Sequence, residues 1–368
     1  SYLDPMYFEH TRGRDWFEYR LDSDAGWYFS ESAGEYRRAI VTHSYGDPEE
    51  LFDAHSYPKS MMVVHMLRRH LGERLFRKGL AHYTKSFFGK AAETHELKIA
   101  FEEATGVPLD GFVEQWLYGR GHPELKCSLS HDKKLGVALL KIEQTQDKKT
   151  NVEAFSFDLE VDLLLGNGKV ERVIVPVSER QTTFAFACKK RPSALVIDPD
   201  YSLLCSIDWT GKSAKEWLHQ LENAQGFLAR KRAISALGKH LHKPNVERAL
   251  LALVADTQAF FALRGQAAAT LAKLGDDGRA DLLVAIKSLC NRSLRMALPA
   301  LGAQADTATF KMLRQQVAKS GSEFIVSAAL GGLAASRNPE ARGDLVKALE
   351  RNGYRDLIRS AAAAGLVK

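Results

Sequence analysis

Along the first 124 residues the apolar positions recur with helical spacing. Met61, Met62, Val63, Val64, Met66, Leu67 and Leu71 predict a buried helix ended by Gly72. Leu75, Phe76, Leu80 and Tyr83 predict the next one. Thr94 stands where it can cap a helix with Leu97, Ala100, Phe101 and Ala104 on its core face, stopped by Gly106 with Pro108 two residues on. Upstream, Trp16, Phe17, Tyr19 and Leu21 continue a first helical element, with Thr11, Gly13 and Asp15 as punctuation before them. Phe112, Val113, Trp116 and Leu117 make a last short helix before Gly119 and Gly121.

Near residue 125 the period falls from 3.6 to 2. Phe155, Phe157, Leu159, Val161 and Leu163 alternate with Ser156, Asp158, Glu160 and Asp162, the pattern of a half-buried strand. Gly166-Asn167-Gly168 turns the chain, and Val173, Val175 and Val177 return, so 155–177 reads as a hairpin. Further short strands are expected at 125–130, 135–144, 181–187, 194–197 and 202–207. About seven short antiparallel strands suggest a small sandwich, with a partly open barrel as the alternative.

From about residue 213 the sequence turns rich in alanine and leucine and repeats loosely. Each unit is an arginine, a run of small residues and Leu-Gly: Arg232 to Gly238, Arg264 to Gly275, Arg295 to Gly302, with weaker copies ending at Gly331 and near Gly365. Glycine spacings of 37, 27, 29 and 34 match one helix pair per repeat. Small residues let antiparallel helices approach closely, which points to a short, right-curving HEAT-like α-solenoid. An irregular helical bundle is the competing reading. The fold class expected is therefore multidomain and mainly α, divided at 1–124, 125–210 and 211–368.

Composition refines this without changing it. The 368 residues are 45% apolar and 26% charged, ordinary for two or three soluble domains, and no apolar run reaches the ~18 residues of a membrane span. Cys127, Cys188, Cys205 and Cys290 form no C-x-x-C pair, which argues against a disulfide scaffold or zinc ribbon and for thiols in a reducing, cytoplasmic setting. The net charge of +6 is uneven: residues 1–125 carry −5, residues 126–212 carry +1 and the remainder +10. Only the last part could attract a polyanion. Its basic residues are not interleaved with aromatics, so a solvated face is expected there, as at Arg68-Arg69-His70 and Lys189-Lys190-Arg191, and nucleic acid is not expected as a partner.

There is no phosphate loop, dinucleotide fingerprint or nucleophile elbow. The nearest approach to H-E-x-x-H is His95-Glu96-Leu97-Lys98-Ile99, which has isoleucine in the second ligand position. His65 with His70, and His240 with His242, lack a third ligand in the sequence. One stretch stands apart: Phe52-Asp53-Ala-His55-Ser56-Tyr57-Pro58-Lys59-Ser60. Pro58 fits the first turn of a helix, with Ser56 or Tyr57 at its cap. Tyr57 would then project from a loop at a positive helix end, where a phenol can donate to a developing oxyanion. From the residues alone a packing tyrosine is the default reading.

These residues carry a resemblance. The run Tyr57-Pro-Lys59-Ser60 through Met66-Leu67-Arg68 resembles the Tyr-x-Lys-Gly stretch of the aminopeptidase N family of zinc metallopeptidases (gluzincins). Leu71-Gly72-Glu73 and Phe76-Arg-Lys-Gly79-Leu80-Ala-His-Tyr83 continue it. Phe101 to Leu109, Phe112 to Leu117 and Gly121-His-Pro123 resemble the close of the family's catalytic domain. Ser60 stands where the motif has glycine, and Ala39 where the family often has proline.

The resemblance implies that residues 1–124 are the helical C-terminal part of a thermolysin-like catalytic domain, and that Tyr57 takes the place of the catalytic tyrosine. In the family that residue, with zinc, stabilises the tetrahedral intermediate as water attacks the N-terminal peptide bond. Ser1-Tyr2-Leu3 resembles the residues just after the family's third zinc ligand, so the expectation is a fragment or processed product. It would hold no cofactor itself and be inactive alone, with zinc and a peptide substrate belonging to the parent protein. Self-association is expected through a face around Tyr7, Phe8 and the Met61–Leu67 helix. The alternative function is a non-catalytic aminopeptidase-like scaffold whose helical repeats bind a protein partner. No membrane is expected in either case.

Overall fold

The computed structural model describes all residues except Glu35, Thr150, Asn167, Gly275 and Lys368. Two units emerge, one of residues 1–213 with 224–229, the other of residues 214–223 with 230–368.

In the first unit the helices are α1 (Leu3–Arg12), α2 (Arg14–Ser32), α3 (Ser60–Leu71), α4 (Glu73–Ser86), α5 (Thr94–Thr105) and the one-turn α6 (Asp110–Val113), which widens into a π-turn at Glu114–Tyr118. Gly72 separates α3 from α4 at φ 74°, and Gly106 ends α5 in the left-handed region at φ 72°; both need a residue without a Cβ. The N-terminus of α5 differs from expectation. Thr94 is its first helical residue, and Glu93 is the cap, its side chain and that of Glu96 forming a reciprocal box with the backbone.

The strands among the described residues are β1 (Glu124–Asp132), β2 (Val137–Gln144), β3 (Phe157–Leu164), β4 (Val170–Val177), β5 (Gln181–Ala187), β6 (Ala194–Ile197) and β7 (Ser206–Thr210). They form a four-stranded sheet in the order β5-β2-β1-β7 and a three-stranded sheet in the order β4-β3-β6. The wholly antiparallel expectation is corrected at one point: β7 runs parallel to β1, Leu125 opposite Ile207. The expected strand at 202–207 begins four residues later. The β3–β4 hairpin pairs Phe157 with Val177 through Leu164 with Val170; of its expected turn, Asn167 lies outside the described residues.

One hydrophobic core runs through this unit, joining Leu21, Tyr28, Met61, Met62 and Trp116 from the helical part to Leu140 and Ile142 of one sheet and Leu159, Val161 and Val175 of the other. The rings of Trp116 and Phe155 stack at 4.9 Å across that junction. Burial of these side chains is the main stabilising term. It also corrects the expected apolar contact face. Met61, Met62, Val63, Met66 and Leu67 are all buried, so α3 offers no such face, although Tyr7 is exposed and Phe8 stacks half-buried on Trp16. Nor is Arg68-Arg69 a merely solvated pair: Arg68 bonds Glu9, Glu73 and the Tyr2 hydroxyl, and Arg69 reaches Glu160 and Asp200.

The second unit is helical: α7 (Ala214–Asn223), the end of α8 (Phe227–Leu237), α9 (Pro244–Ala255), α10 (Phe261–Leu271), α11 (Asp276–Ala285), α12 (Asn291–Gly302), α13 (Thr307–Lys319), α14 (Glu323–Ala335), α15 (Ala341–Ala348) and α16 (Leu357–Val367). Helices α10, α12, α14 and α16 pack in succession, with α9, α13 and α15 against α10, α14 and α16. The recurring small residues act at these contacts. A Cβ on Gly302 would lie 1.8 Å from the Gly332 carbonyl oxygen, so α12 and α14 touch backbone to backbone. Its neighbour Gly331, the glycine of the expected weaker copy, takes no part in that contact: a Cβ there would have nothing within 4 Å. Arg264 is buried and donates to the carbonyls of Val254 and Ser288, closing the ends of α9 and of the turn after α11. Gly275, the end of another predicted repeat, lies outside the described residues. Among the described residues no helix is long and apolar enough to cross a membrane.

Candidate functional site

Tyr57 lies in a π-turn, His55–Lys59, that runs without a break into α3. The expected picture, a loop tyrosine just before a helix capped by Ser56 or Tyr57, is corrected. The cap is Asp53, whose Oδ1 accepts the backbone N–H of His55 at 3.0 Å and of Ser56 at 2.9 Å. Pro58 has no N–H to contribute, and the wide turn is closed around it by Lys59 N–H donating to Ala54 O at 2.9 Å.

Asp53 is itself held. Arg38 Nη2 donates to Oδ1 at 2.6 Å, Arg38 Nε to Oδ2 at 2.8 Å, and the Tyr36 hydroxyl to Oδ2 at 2.8 Å. Arg38 also donates to Ser56 Oγ at 2.7 Å and to the carbonyls of Ala39 and Ile40. Burial by itself would raise the Asp53 pKa, but the hydrogen bonds from Arg38, Ser56 N–H and Tyr36, with the guanidinium charge, outweigh it and keep the carboxyl below its ordinary value. The turn is thus fastened by a charged group that stays ionised.

Behind the turn lies a buried basic cluster. Lys59 is fully buried; its Nζ donates to Gly119 O at 3.2 Å and sits 5.9 Å from the Tyr28 ring centre. Burial, with the Arg38 charge, pushes its amine down to about 7. His122 faces the Tyr28 hydroxyl through Nδ1 at 3.2 Å, and burial with the charges of Arg37 and Lys59 pushes it down to about 3. Tyr28 is raised, first by burial. His55, also buried, points Nδ1 at Glu31 Oε1 (3.2 Å) and Asp53 Oδ2 (3.4 Å), while its Nε2 has no partner. Desolvation leads in lowering its pKa, and the charges of Lys59 and Arg38 add to the effect against the two carboxylates.

The Tyr57 side chain itself faces outward. It is 42% exposed, its ring lies 5.9 Å from that of Phe52, and its hydroxyl makes no hydrogen bond among the described residues. A rigid backbone therefore presents an unpaired phenolic donor to solvent, at the N-terminal end of a helical run whose dipole favours negative charge nearby.

Among the described residues, Glu31, Asp53 and His55 form the one group of three with donor atoms close enough to hold a metal, all within 4.8 Å. The donor set does not fit a zinc ion. Five hydrogen bonds already converge on the two oxygens of Asp53, two of them from the Arg38 guanidinium, whose charge would oppose a cation at that point. Glu31 Oε1 is engaged by Ala54 N–H at 3.1 Å. His95 lies far along the chain on α5, beside the Lys98–Asp110 ion pair. His65 is buried between the Tyr2 hydroxyl and the Tyr201 carbonyl. Sequence reasoning singled out Tyr57 but missed Tyr36 and Arg38 as its support; the available signal was Asp53 just ahead of a helix start, the usual place of a cap.

Residues 5–116 match the model of the peptidase family M1 domain. Among curated relatives, aminopeptidase M1-A of rice (Oryza sativa subsp. japonica) is 30% identical over 138 residues, 38% of this chain and 15% of the rice protein. Aminopeptidase N of Haemophilus influenzae is 27% identical over 170 residues, 43% of this chain and 19% of that protein. Tricorn protease-interacting factor F2 of Thermoplasma volcanium is 30% identical over 123 residues, 31% of this chain and 16% of that protein. The matches thus span under a fifth of each of these relatives. Among solved structures, Legionella pneumophila aminopeptidase A in complex with aspartic acid superposes with a TM-score of 0.62 at 17% identity, covering 100% of this chain and 44% of that one. That likeness extends to the whole mainly helical fold with its small sheets.

Proposed function

We propose, on the premise that residues 5–116 belong to a peptidase family M1 domain, that this chain serves an aminopeptidase-like protein which removes N-terminal residues from peptides. Tyr57 is its catalytic residue in these 368 positions. As the scissile carbonyl becomes tetrahedral, its oxygen gains negative charge; the Tyr57 hydroxyl donates a hydrogen bond to that oxygen and keeps its own proton. The supporting observation is the exposed, unpaired phenol on a turn clamped through Asp53 and Arg38. A donor held ready in this way needs no reorganisation when the charge appears. Arg38, Asp53 and Tyr36 position the turn and do not touch substrate.

No step is assigned to zinc held by this chain, because its candidate donors are committed elsewhere and its sequence has no H-E-x-x-H pair. The zinc ligands and the general base belong, in this reading, to the rest of the whole protein, and the 368 residues alone are inactive. Residues 1–124 then represent the helical part of the catalytic domain, 125–210 a β-sandwich and 211–368 a HEAT-like array. The test is hydrolysis by the whole protein of a peptide with a free N-terminus against the same peptide acetylated. Cleavage of the free form alone, one residue at a time, is expected; cleavage of neither contradicts the reading.

A second reading, a non-catalytic scaffold, draws on the +10 charge of residues 213–368 and on the name of the Thermoplasma relative, an interacting factor of a protease. It is favoured if neither peptide is cleaved.

A further inference from the structure

The second unit carries an open groove of about 610 Å³ between the end of α11, the turn at Ile286–Ser288, α12 and α13. Its floor is apolar, made by Leu283, Ile286, Leu289, Leu294 and Met312; its other lining groups are Lys287, Lys319, Gln315, Gln316 and Ser320. We propose that this groove is a docking site for an acidic amphipathic peptide segment of a partner protein. The inference stands apart from the hydrolytic reading, since every residue it uses belongs to the helical unit.

Three observations select that occupant. First, no carboxylate is among the lining residues, and Lys287 and Lys319 are exposed ammonium groups without a salt-bridge partner among the described residues. On the same helix as Lys319, by contrast, Arg314 pairs with Glu340 and Asp344. A cation left unpaired on the rim of an apolar floor invites a carboxylate from outside. Second, Leu283, Leu289, Leu294 and Met312 are only half-buried, so apolar anchors laid on them would complete their burial. A free polyanion would gain nothing from that floor. Third, residues 213–368 carry +10, which draws an acidic chain toward the unit before contact. Met312 adds an adaptable surface suited to an unbranched or aromatic anchor, and the Gln315 and Gln316 amides can donate to and accept from a peptide backbone.

The test is fluorescence anisotropy of a labelled twelve-residue helix former, leucine and phenylalanine on one face and glutamate and aspartate on the other, titrated with the full chain. Saturable binding is expected below about 0.1 mM, weakening with added salt. A K287E/K319E chain, altered only at exposed positions, should bind at least about tenfold more weakly with its circular dichroism unchanged. The peptide with lysine in place of its acids should not bind. The proposal is overturned by no binding of the acidic peptide, equal binding of the basic one, binding untouched by K287E/K319E, or a leucine-free acidic peptide binding equally well, which would mark a general polyanion patch. Self-association of the chain abolished by K287E/K319E would assign the groove to a second copy and would equally overturn it.

Discussion

Arg38 grips Asp53 at two points, 2.6 Å to one carboxylate oxygen and 2.8 Å to the other, and that same carboxylate closes the turn from which Tyr57 projects. Both side chains are about 10% exposed. A pair so enclosed differs from a surface ion pair, because removing one partner strands the other without water to replace it.

Asp53→Ala should therefore lower the stability of the chain by about 3 kcal/mol, from the stranded guanidinium and the lost cap together. Urea unfolding measures this, and a loss below about 1 kcal/mol would class the pair with screened surface contacts. The sign with pH follows from the lowered Asp53 pKa. Its contribution is present above the ordinary carboxylate value and fades as pH falls from there toward the folded value.

Lys59 predicts a dependence in another window. Folded, its amine titrates near 7; unfolded, near its ordinary 10.5. Between those values the unfolded chain holds a proton that the folded chain does not, so this group makes stability rise with pH. Lys59→Met should remove that slope, which is at most about 1.4 kcal/mol per pH unit. Urea midpoints of both proteins from pH 7.5 to 9.5 check it; parallel curves would contradict the buried neutral amine.

The two glycines of α14 should respond oppositely to alanine. At Gly332 a Cβ meets the Leu298 carbonyl oxygen at 2.6 Å, and at Gly331 it meets nothing. Gly331→Ala should be neutral or gain up to about 1 kcal/mol of helix preference. Gly332→Ala should lose about 2 kcal/mol, because a backbone atom cannot rotate away and the helices must part. Thermal unfolding of the pair reads the contrast, and equal shifts would remove the close α12–α14 contact from the account.

Much of this was legible locally. The apolar spacing of α3, the stops at Gly72 and Gly106 and the alternation of β3 are properties of a few neighbouring residues, and each is found in the structure. What was not legible depends on distant chain. The direction of β7 beside β1 is set by the path between them, not by the pattern of either strand. Arg38 serves Asp53 from 15 residues away, and nothing in its surroundings announces it. Lys59 reads as a polar residue at a helix start, yet Gly119, 60 positions on, and the Tyr28 ring enclose it. Glu93 outdid Thr94 as a cap because Glu96 could answer it. Tyr57 stands out in the sequence because the stretch around it is distinctive; Tyr36 and Arg38, which hold its turn, do not.

The metal assignment has its own measurement. Incubated with zinc and passed through a desalting column, the 368-residue chain should retain well under one equivalent and hydrolyse no aminoacyl amide, since Asp53 is committed to Arg38. One tightly held equivalent accompanied by turnover would contradict this.

The central claim is that the Tyr57 hydroxyl donates to the oxyanion. The most direct measurement is the kcat and KM of Tyr57→Phe in the whole protein, with the ring and its contact to Phe52 retained and only the hydroxyl gone. The account predicts a kcat lower by about 10²-fold or more with KM little changed, the loss expected for one oxyanion donor. A kcat close to that of the unaltered protein would contradict it and leave Tyr57 a packing residue.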